Sequence, residues 1–131
     1  MRISTTSTVS RLKALADPTR LRIFNLLTVR TLCVCSIEQV LGVSQTATSR
    51  HLARLQAAGV LTSERRAQWV YYSIDERFAI DHAGLLDYLK REAAEDAVLR
   101  QDRERLENHV ETDTLCAADN RTTPNKQKEY V

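Results

Sequence analysis

The sequence predicts a mainly α-helical domain with one β-hairpin, an α+β fold in the order α-α-α-α-β-β-α. Apolar residues recur at helical spacing through the first 58 residues, and the pattern becomes that of strands directly after Gly59. Sequence that permits a helix returns from Glu76. Only 3 Gly and 2 Pro occur among the 131 residues, which argues against an all-β architecture built on many tight turns.

The first two helices are predicted on either side of a helix-start signal. Apolar residues of the first helix stand at i, i+3 and i+7, at Val9, Leu12 and Ala16. Asp17 is a good N-cap and Pro18 fits the first helical position, so a second helix is predicted from there to about Val29. Its buried stripe is predicted to be Leu21, Phe24 and Leu27.

The third and fourth helices have the pattern of a helix-turn-helix. Residues 36–41 form a helix of about two turns, which Gly42 ends. Ser44 is placed to cap a longer helix over residues 45–58, and Gly59 closes it. A short helix, a tight turn containing Gly and a longer helix are the parts of that motif.

A β-hairpin is predicted directly after the helix-turn-helix. Residues 60–65 and 69–74 are rich in β-branched and aromatic side chains, and only Arg66, Ala67 and Gln68 lie between them. A hairpin in this position is a wing. The architecture is therefore predicted to be a winged helix-turn-helix, which indicates DNA binding.

The last helix is predicted to be long and continuous. Residues 76–109 contain no Pro, and 34 helical positions would extend about 51 Å. Residues 1–109 are therefore predicted to form one domain for DNA binding and dimerisation. Residues 110–131 are rich in Thr, Asn, Asp and Lys and are predicted to form a flexible C-terminal tail.

The charge is divided unevenly along the chain. Residues 1–75 hold 10 Lys and Arg against 4 Asp and Glu, whereas residues 76–131 hold 9 against 13, within a net charge of +2. A basic first half favours contact with a polyanion. No apolar run approaches the roughly 20 residues that span a bilayer, and no secretory signal is visible. With an odd count of 3 cysteines, the sequence predicts reduced thiols in the cytoplasm.

Four segments in this order carry a family pattern: residues 15–23 (LADPTRLRI), 32–35 (LCVC), 44–52 (SQTATSRHL) and 70–74 (VYYSI). Through them the chain resembles, over roughly residues 9–90, the ArsR/SmtB family of metalloregulatory repressors, in its arsenic-responsive branch. The resemblance implies a homodimeric winged-helix transcriptional repressor. It also implies that the repressor leaves its operator when a metal or metalloid binds.

The fourth helix is predicted to be the reading helix, the one that contacts the DNA bases. Thr46, Ser49 and Arg50 share one face, and small hydroxyl side chains allow close approach to base edges in the major groove. At the hairpin tip, two arginines are expected to contact phosphate or the minor groove. The residues predicted to contact DNA are Gln45, Thr46, Ser49, Arg50, Arg65 and Arg66. His51 lies toward the buried side and is predicted to be structural.

Cys33 and Cys35 are the predicted ligands of the inducer. On a regular helix, positions i and i+2 lie about 200° apart, so the two thiolates converge only if this stretch is extended or the helix start unwinds. A helix N-terminus is expected to lower the pKa of a thiol there. Thiolates select soft acceptors such as thiophilic metalloids, Cd, Pb or Cu(I).

The arsenic-responsive branch often has a third cysteine three positions after the second, where this chain has Glu38. Cys116 is the candidate third thiolate, from the same or the partner subunit, and an exogenous thiol or hydroxide would also serve. The expected inducer is trivalent arsenic or antimony, with Cd or Pb as alternatives and no organic cofactor. The family's nitrogen-oxygen site on the last helix is predicted to be absent, because Asp81 and His82 are adjacent and His109 is distant.

Three other functions compete with this reading. An enzyme is disfavoured, because no histidine lies near a Gly-rich turn or nucleophile elbow and no phosphate loop exists. A redox-responsive repressor would share the DNA-binding half and use oxidation of cysteines as its trigger. A constitutive winged-helix protein would keep its cysteines for packing alone.

Overall fold

The computed structural model describes residues 5–112, which form a mainly helical α+β fold with a small antiparallel sheet. The elements are α1 (Thr5–Leu15), α2 (Pro18–Leu27), β1 (Leu32–Cys33), α3 (Val34–Leu41), α4 (Gln45–Ala57), β2 (Leu61–Arg66), β3 (Trp69–Ile74), α5 (Glu76–Asp81), α6 (Ala83–Glu95) and α7 (Ala97–Thr112). The predicted fold class, with its helix-turn-helix and wing, is confirmed.

Helix α2 lies at the centre of the core. Asp17 caps it as predicted, since its Oδ2 accepts a hydrogen bond from the Arg20 backbone N–H at 3.0 Å. That hydrogen bond is the main reason why the pKa of Asp17 lies below its ordinary value. Phe24 and Leu27 of the predicted stripe are buried, whereas Leu21 is only half-buried.

The helix-turn-helix is set by local capping. Helix α3 ends at Gly42, whose φ of 69° is left-handed, and the Ser44 Oγ accepts a hydrogen bond from the Ala47 N–H at 3.2 Å. Leu52 and Leu55 of α4 are buried against the core. Helix α3 begins at Val34, two residues before the predicted start, because the chain turns directly from a strand into the helix.

The sheet has the strand order β1-β3-β2, and both pairings are antiparallel. Strands β2 and β3 form the predicted wing, with Leu61 opposite Ile74 and Arg66 opposite Trp69. Strand β1 was not predicted, since two residues are too few to show a period. It places Cys33 opposite Tyr71 on the inner strand of the wing.

The wing turn contains two residues, Ala67 and Gln68, rather than the predicted three. Ala67 has a φ of 55°, the only positive φ at a residue other than glycine within residues 5–112. The left-handed region brings an alanine Cβ close to the following carbonyl oxygen. Glycine, which has no Cβ, adopts this conformation without that contact.

Replacing Ala67 by glycine is therefore expected to stabilise the fold by roughly 0.5–1 kcal/mol. The loss of strain at the left-handed residue stabilises the folded chain, and the greater entropy that glycine gives the unfolded chain offsets part of this gain. The measurement is the free energy of unfolding in urea. Gln68→Gly is the matched control, and a loss of about 0.5 kcal/mol is expected there. Equal destabilisation by both substitutions would contradict the role given to the turn conformation.

The predicted continuous helix over residues 76–109 is wrong: three helices occupy this segment. His82 (φ −126°, ψ 41°) separates α5 from α6, and Asp96 (φ −93°, ψ 126°) separates α6 from α7. The Asp96 Oδ1 accepts a hydrogen bond from the Leu99 N–H at 3.0 Å and so caps α7. Because of this break, α7 returns to the core and Leu106 is fully buried there.

Helix α7 is fixed to α2 by polar contacts in a buried setting. Asp102 is fully buried, and its two carboxylate oxygens accept hydrogen bonds from Arg22 Nε at 2.8 Å and Arg22 Nη2 at 3.0 Å. Arg105 adds a third hydrogen bond at 3.1 Å. The bond to Asp102 raises the pKa of Arg22 above its ordinary value. Nearby, Asn25 Nδ2 donates to the Leu99 carbonyl at 3.0 Å.

No helix within residues 5–112 has the length and apolar character needed to cross a membrane. Helix α7 continues to Thr112, three residues into the segment predicted as a tail. The remainder of that segment, including Cys116, lies outside the described residues.

Candidate functional site

The predicted DNA-contacting residues lie on α4 and the wing. The exposed residues of the set are Gln45, Thr46, Ser49, Arg50 and Arg65. Arg66 is half-buried, and its Nε lies 3.3 Å from Glu64 Oε2 on the same strand. The exposed face of α4 thus carries polar side chains and the guanidiniums of Arg50 and of Arg54, which is exposed one turn further along.

His51 lies on the inner side of α4, where it contacts Arg20. Its Nδ1 is 3.3 Å from Arg20 Nη1. The same arginine donates from Nε to the Ala14 carbonyl at 2.6 Å. This arginine therefore joins the end of α1 and the start of α2 to the reading helix, and His51 has the structural contact that was predicted.

The two cysteines converge because the chain changes conformation between them. Cys33 ends β1 and is the N-cap of α3, with an extended backbone (φ −84°, ψ 164°), whereas Cys35 lies in the first turn of α3. Their Sγ atoms are 3.0 Å apart. Of the two routes considered from the sequence, the extended one brings the sulfur atoms together.

Burial governs the chemistry of Cys33. The side chain is buried, and burial raises the pKa of its thiol even though Ser36 Oγ lies 3.3 Å from the sulfur. The expectation that the helix N-terminus lowers the pKa is wrong for this residue, since loss of solvent outweighs the hydrogen bonds. Binding of a soft ion there must displace the thiol proton.

Aromatic side chains lie beside the cysteine pair, Cys33 and Cys35. Cys33 and Tyr71 form a small buried cluster separate from the main core, and Cys35 and Trp69 pack against it. The Trp69 Nε1 is buried and has no hydrogen-bond partner among the described residues. The closeness of Trp69 and Tyr71 to the sulfur atoms requires the β1–β3 pairing, which the sequence did not show.

A cleft of about 400 Å³ opens beside the cysteine pair. It lies between the start of α3, the start of α4 and the inner strand of the wing, and is lined by Cys33, Val34, Cys35, Glu38, Gln45, Ser49, Gln68, Trp69, Val70 and Tyr72. Both cysteines and two residues predicted to contact DNA therefore border one space. Sequence reasoning missed the cleft, because the wall that residues 68–72 form lies 30 or more residues after the start of α3 and meets it only in the folded sheet.

Within residues 5–112, no group of three or more His, Cys, Asp and Glu side chains is arranged to hold a metal ion. Glu38 borders the cleft without completing such a group. The predicted third ligand, Cys116, lies outside the described residues. The described part of the chain therefore offers an ion the two sulfur atoms of the cysteine pair.

Comparison with known proteins identifies bacterial regulators that are similar to this chain. Residues 17–63 match the model of the family described as bacterial regulatory protein, arsR family. The arsenic resistance transcriptional regulator ArsR1 of Pseudomonas putida is 50% identical over 64 residues, which are 47% of this chain and 49% of that protein. The arsenical resistance operon repressor of Escherichia coli K12 is 40% identical over 76 residues, or 57% of this chain and 65% of that protein. The chain thus spans under two thirds of these two relatives.

A solved structure supports the fold assignment. The homodimeric winged helix-turn-helix DNA-binding domain of Mb0332 from Mycobacterium bovis, a possible ArsR-family regulator, superposes with a TM-score of 0.59 at 27% identity. The superposition covers 69% of this chain and 83% of that domain.

Proposed function

Because the chain belongs to the ArsR family of bacterial regulatory proteins, and is a transcriptional regulator rather than an enzyme, we propose a specific regulatory function for it. It is a repressor that releases operator DNA when a thiophilic metalloid binds Cys33 and Cys35. The observation that supports this most directly is the 3.0 Å separation of the two Sγ atoms in a cleft bordered by Gln45 and Ser49 of α4. Arsenite or antimonite is the favoured inducer in a cytoplasmic setting.

In this proposal, α4 enters the major groove and the wing follows the backbone. Gln45, Thr46, Ser49 and Arg50 face the base edges, where a Gln amide pairs with adenine and an Arg with guanine. Arg65 and Arg66 neutralise phosphates, which adds affinity without reading sequence. A two-fold dimer presents two such helices to a palindrome whose half-sites are about one helical turn, or a multiple of it, apart.

Operator affinity is expected to fall steeply with salt, and Arg65→Ala is expected to reduce the slope of log K against log [salt] by about 1, because one phosphate contact is lost. Fluorescence anisotropy of a labelled duplex, recorded from roughly 50 to 200 mM salt, measures this slope. Arg77→Ala removes an exposed arginine that lies on α5, outside both strands of the wing, and is the control with an unchanged slope. Binding that does not depend on salt would contradict the proposed interface.

The inducer acts through α3. Cys33 and Cys35 bracket the start of this helix, and α3 packs against α4. An ion held by both thiolates fixes the conformation of that junction. Release requires that the ion bind better to the form that does not bind DNA, since a ligand with equal affinity for both forms shifts nothing.

Titration of the reduced chain on its operator with arsenite, cadmium and peroxide separates the candidate triggers. Release by arsenite at lower concentration than by cadmium supports the metalloid assignment. Release by cadmium alone identifies a Cd/Pb-type sensor, and release by peroxide alone identifies a redox sensor. Operator binding that none of the three affects would leave a constitutive regulator and refute the proposal.

A second copy of the chain is the proposed partner. Apolar stripes on residues 9–16 and 78–89 favour a two-fold interface there, although Phe78 is buried in the chain's own core. Exposed apolar side chains remain on the same two regions, at Val9, Leu12, Ile80 and Tyr88. A dimer that covers these side chains would remove their apolar surface from water.

Light scattering at micromolar concentration is expected to give about twice the chain mass of 14.9 kDa. Leu12→Glu, at a half-exposed position, should shift the mass toward that of one chain without unfolding it, because a charge would then lie in the apolar interface. Thr8→Glu, exposed on the same helix, is the control. A single-chain mass for the unaltered protein would refute the dimer.

A further inference from the structure

Arg20 lies where helix α1, helix α2 and the reading helix α4 meet. Its Nε donates to the Ala14 carbonyl at 2.6 Å and its Nη2 to the Lys13 carbonyl at 3.4 Å, both in the last turn of α1. Its Nη1 lies 3.3 Å from His51 Nδ1 on α4. One side chain of α2 therefore connects α1, which carries part of the proposed dimer interface, with the helix proposed to read DNA.

The contacts at α1 satisfy carbonyl groups at the end of that helix. The last carbonyls of a helix lack an N–H partner one turn further along, and a cation near this end is also favoured by the helix dipole. Ala14 is fully buried, so its carbonyl has no access to water. The guanidinium of Arg20 therefore holds the end of α1 in place.

The contact at α4 has a defined direction. A guanidinium only donates hydrogen bonds, so His51 Nδ1 is the acceptor. On the same inner side of α4, Leu52 and Leu55 are fully buried, but apolar burial has no preferred direction. A planar guanidinium binds its partners at fixed angles. The hydrogen bond to His51 therefore restrains the rotation of α4 relative to α1.

The backbone from which the Arg20 side chain extends is itself held by the N-cap of α2. Asp17 Oδ2 accepts a hydrogen bond from the Arg20 N–H at 3.0 Å, and the Arg20 side chain is half-buried. Both ends of this side chain are thus fixed before DNA is bound. Little further ordering of Arg20 is then needed when the reading helix meets its half-site.

We infer that Arg20 is a positioning residue that sets the distance and angle between the two reading helices of the dimer, and so the half-site spacing that the protein accepts. The inference rests on the proposed function, because it takes α1 as part of the dimer interface and α4 as the reading helix. In a two-fold dimer, each α4 is then oriented toward the other through its own α1. One added base pair moves a half-site by about 3.4 Å and turns it by about 34°, which a rigid connection rejects and a loose one tolerates.

The test compares three labelled duplexes by fluorescence anisotropy. The first is a palindrome that the unaltered chain selects from a random-sequence library. The second has one base pair inserted at the centre of this palindrome, and the third keeps a single half-site. The unaltered chain is expected to bind the second duplex at least about tenfold more weakly than the first, because its two reading helices no longer meet both half-sites in register.

Two variants break the connection between α1 and α4 from opposite sides. Arg20→Met removes the donor, and His51→Leu removes the acceptor on α4. Each is expected to weaken binding to the palindrome about tenfold, because the loosened helices must be ordered on the DNA. The penalty for the inserted base pair should fall to about twofold, and binding to the single half-site should change less than about twofold.

Three controls separate positioning from stability and from dimer formation. His51→Asn keeps an acceptor oxygen near the position of Nδ1 and should behave like the unaltered chain. Arg22→Met is the same substitution as Arg20→Met on the same helix, but it breaks the contact with Asp102 on α7. It should lower stability and keep the full penalty for the inserted base pair. Light scattering should give the mass of two chains for every variant.

The outcomes distinguish this inference from the proposal on which it rests. If Arg20→Met and His51→Leu weaken all three duplexes by the same factor, or if Arg20→Met gives the mass of one chain, the inference is refuted and the proposed repressor stands. Equal behaviour of His51→Asn and His51→Leu, or an unaltered chain that accepts the inserted base pair, would refute it as well. If circular dichroism shows that Arg20→Met does not fold, the two His51 variants decide. If the unaltered chain selects no duplex, the proposed DNA binding itself fails.

Discussion

A chain with both Cys33→Ser and Cys35→Ser is expected to bind its operator with unchanged affinity and to remain bound when arsenite is added. Serine keeps the size of the side chain but loses the thiolate that a soft metalloid requires. In the unaltered chain, a coupling of roughly 1–3 kcal/mol between inducer and DNA would weaken operator binding about 5- to 150-fold. Anisotropy of a labelled operator, with and without arsenite, measures both quantities.

Two further variants test the same site. Cys35→Ser alone leaves the buried Cys33 in place and should already abolish release, because the start of α3 then lacks the second thiolate that fixes its conformation. Cys116→Ser should weaken the response to arsenite without removing it, since the cysteine pair remains. If the double variant still released DNA with arsenite like the unaltered chain, the inducer site would lie elsewhere.

The largest expected loss of stability comes from Arg22→Met. Asp102 is fully buried, and Arg22 supplies two of its three hydrogen bonds from arginine side chains. Without Arg22, the buried carboxylate of Asp102 keeps only Arg105 as an arginine partner. Because breaking a buried ion pair leaves a charge without its partner, the free energy of unfolding is expected to fall by about 3 kcal/mol. Unfolding in urea, followed by circular dichroism, measures the loss.

The double variant Arg22→Met, Asp102→Leu tests whether the loss of stability comes from the unpaired carboxylate of Asp102. Replacing both charges by apolar groups leaves no buried charge without a partner, so stability should return to within about 1 kcal/mol of the unaltered chain. Arg105→Ala removes a side chain that is 46% exposed and is expected to cost at most about 1 kcal/mol. A loss as large for Arg105→Ala as for Arg22→Met would show that Arg22 is not the main partner of Asp102.

The part of the fold that the sequence predicted well is the part set by neighbouring residues. Asp17, Ser44 and Gly42 act through contacts a few residues away, and each lies at a helix end as predicted. The alternation of β-branched and aromatic residues likewise fixed the wing to within one residue at its turn. Local capping and periodicity are visible in a single sequence because their partners are adjacent.

The parts that the sequence did not predict depend on distant residues. Asp96 has the same capping role as Asp17, but an aspartate among many charges is also common on an exposed helix face, and no proline marks the break. The burial of Asp102 depends on Arg22, 80 residues earlier. At the candidate site, the spacing of Cys33 and Cys35 was visible, whereas the cleft beside them required the register of the sheet.

The pairing of β1 with β3 has a consequence for how the protein acquires its site during synthesis. Leu32 lies opposite Tyr72, so 40 residues must be made before the strand that contains Cys33 has its partner. Long-range pairings of this kind close large loops and form late in folding. A growing chain therefore exposes both cysteines before the cleft and the reading helix exist together, and competence to respond to an inducer arises only once the wing has folded.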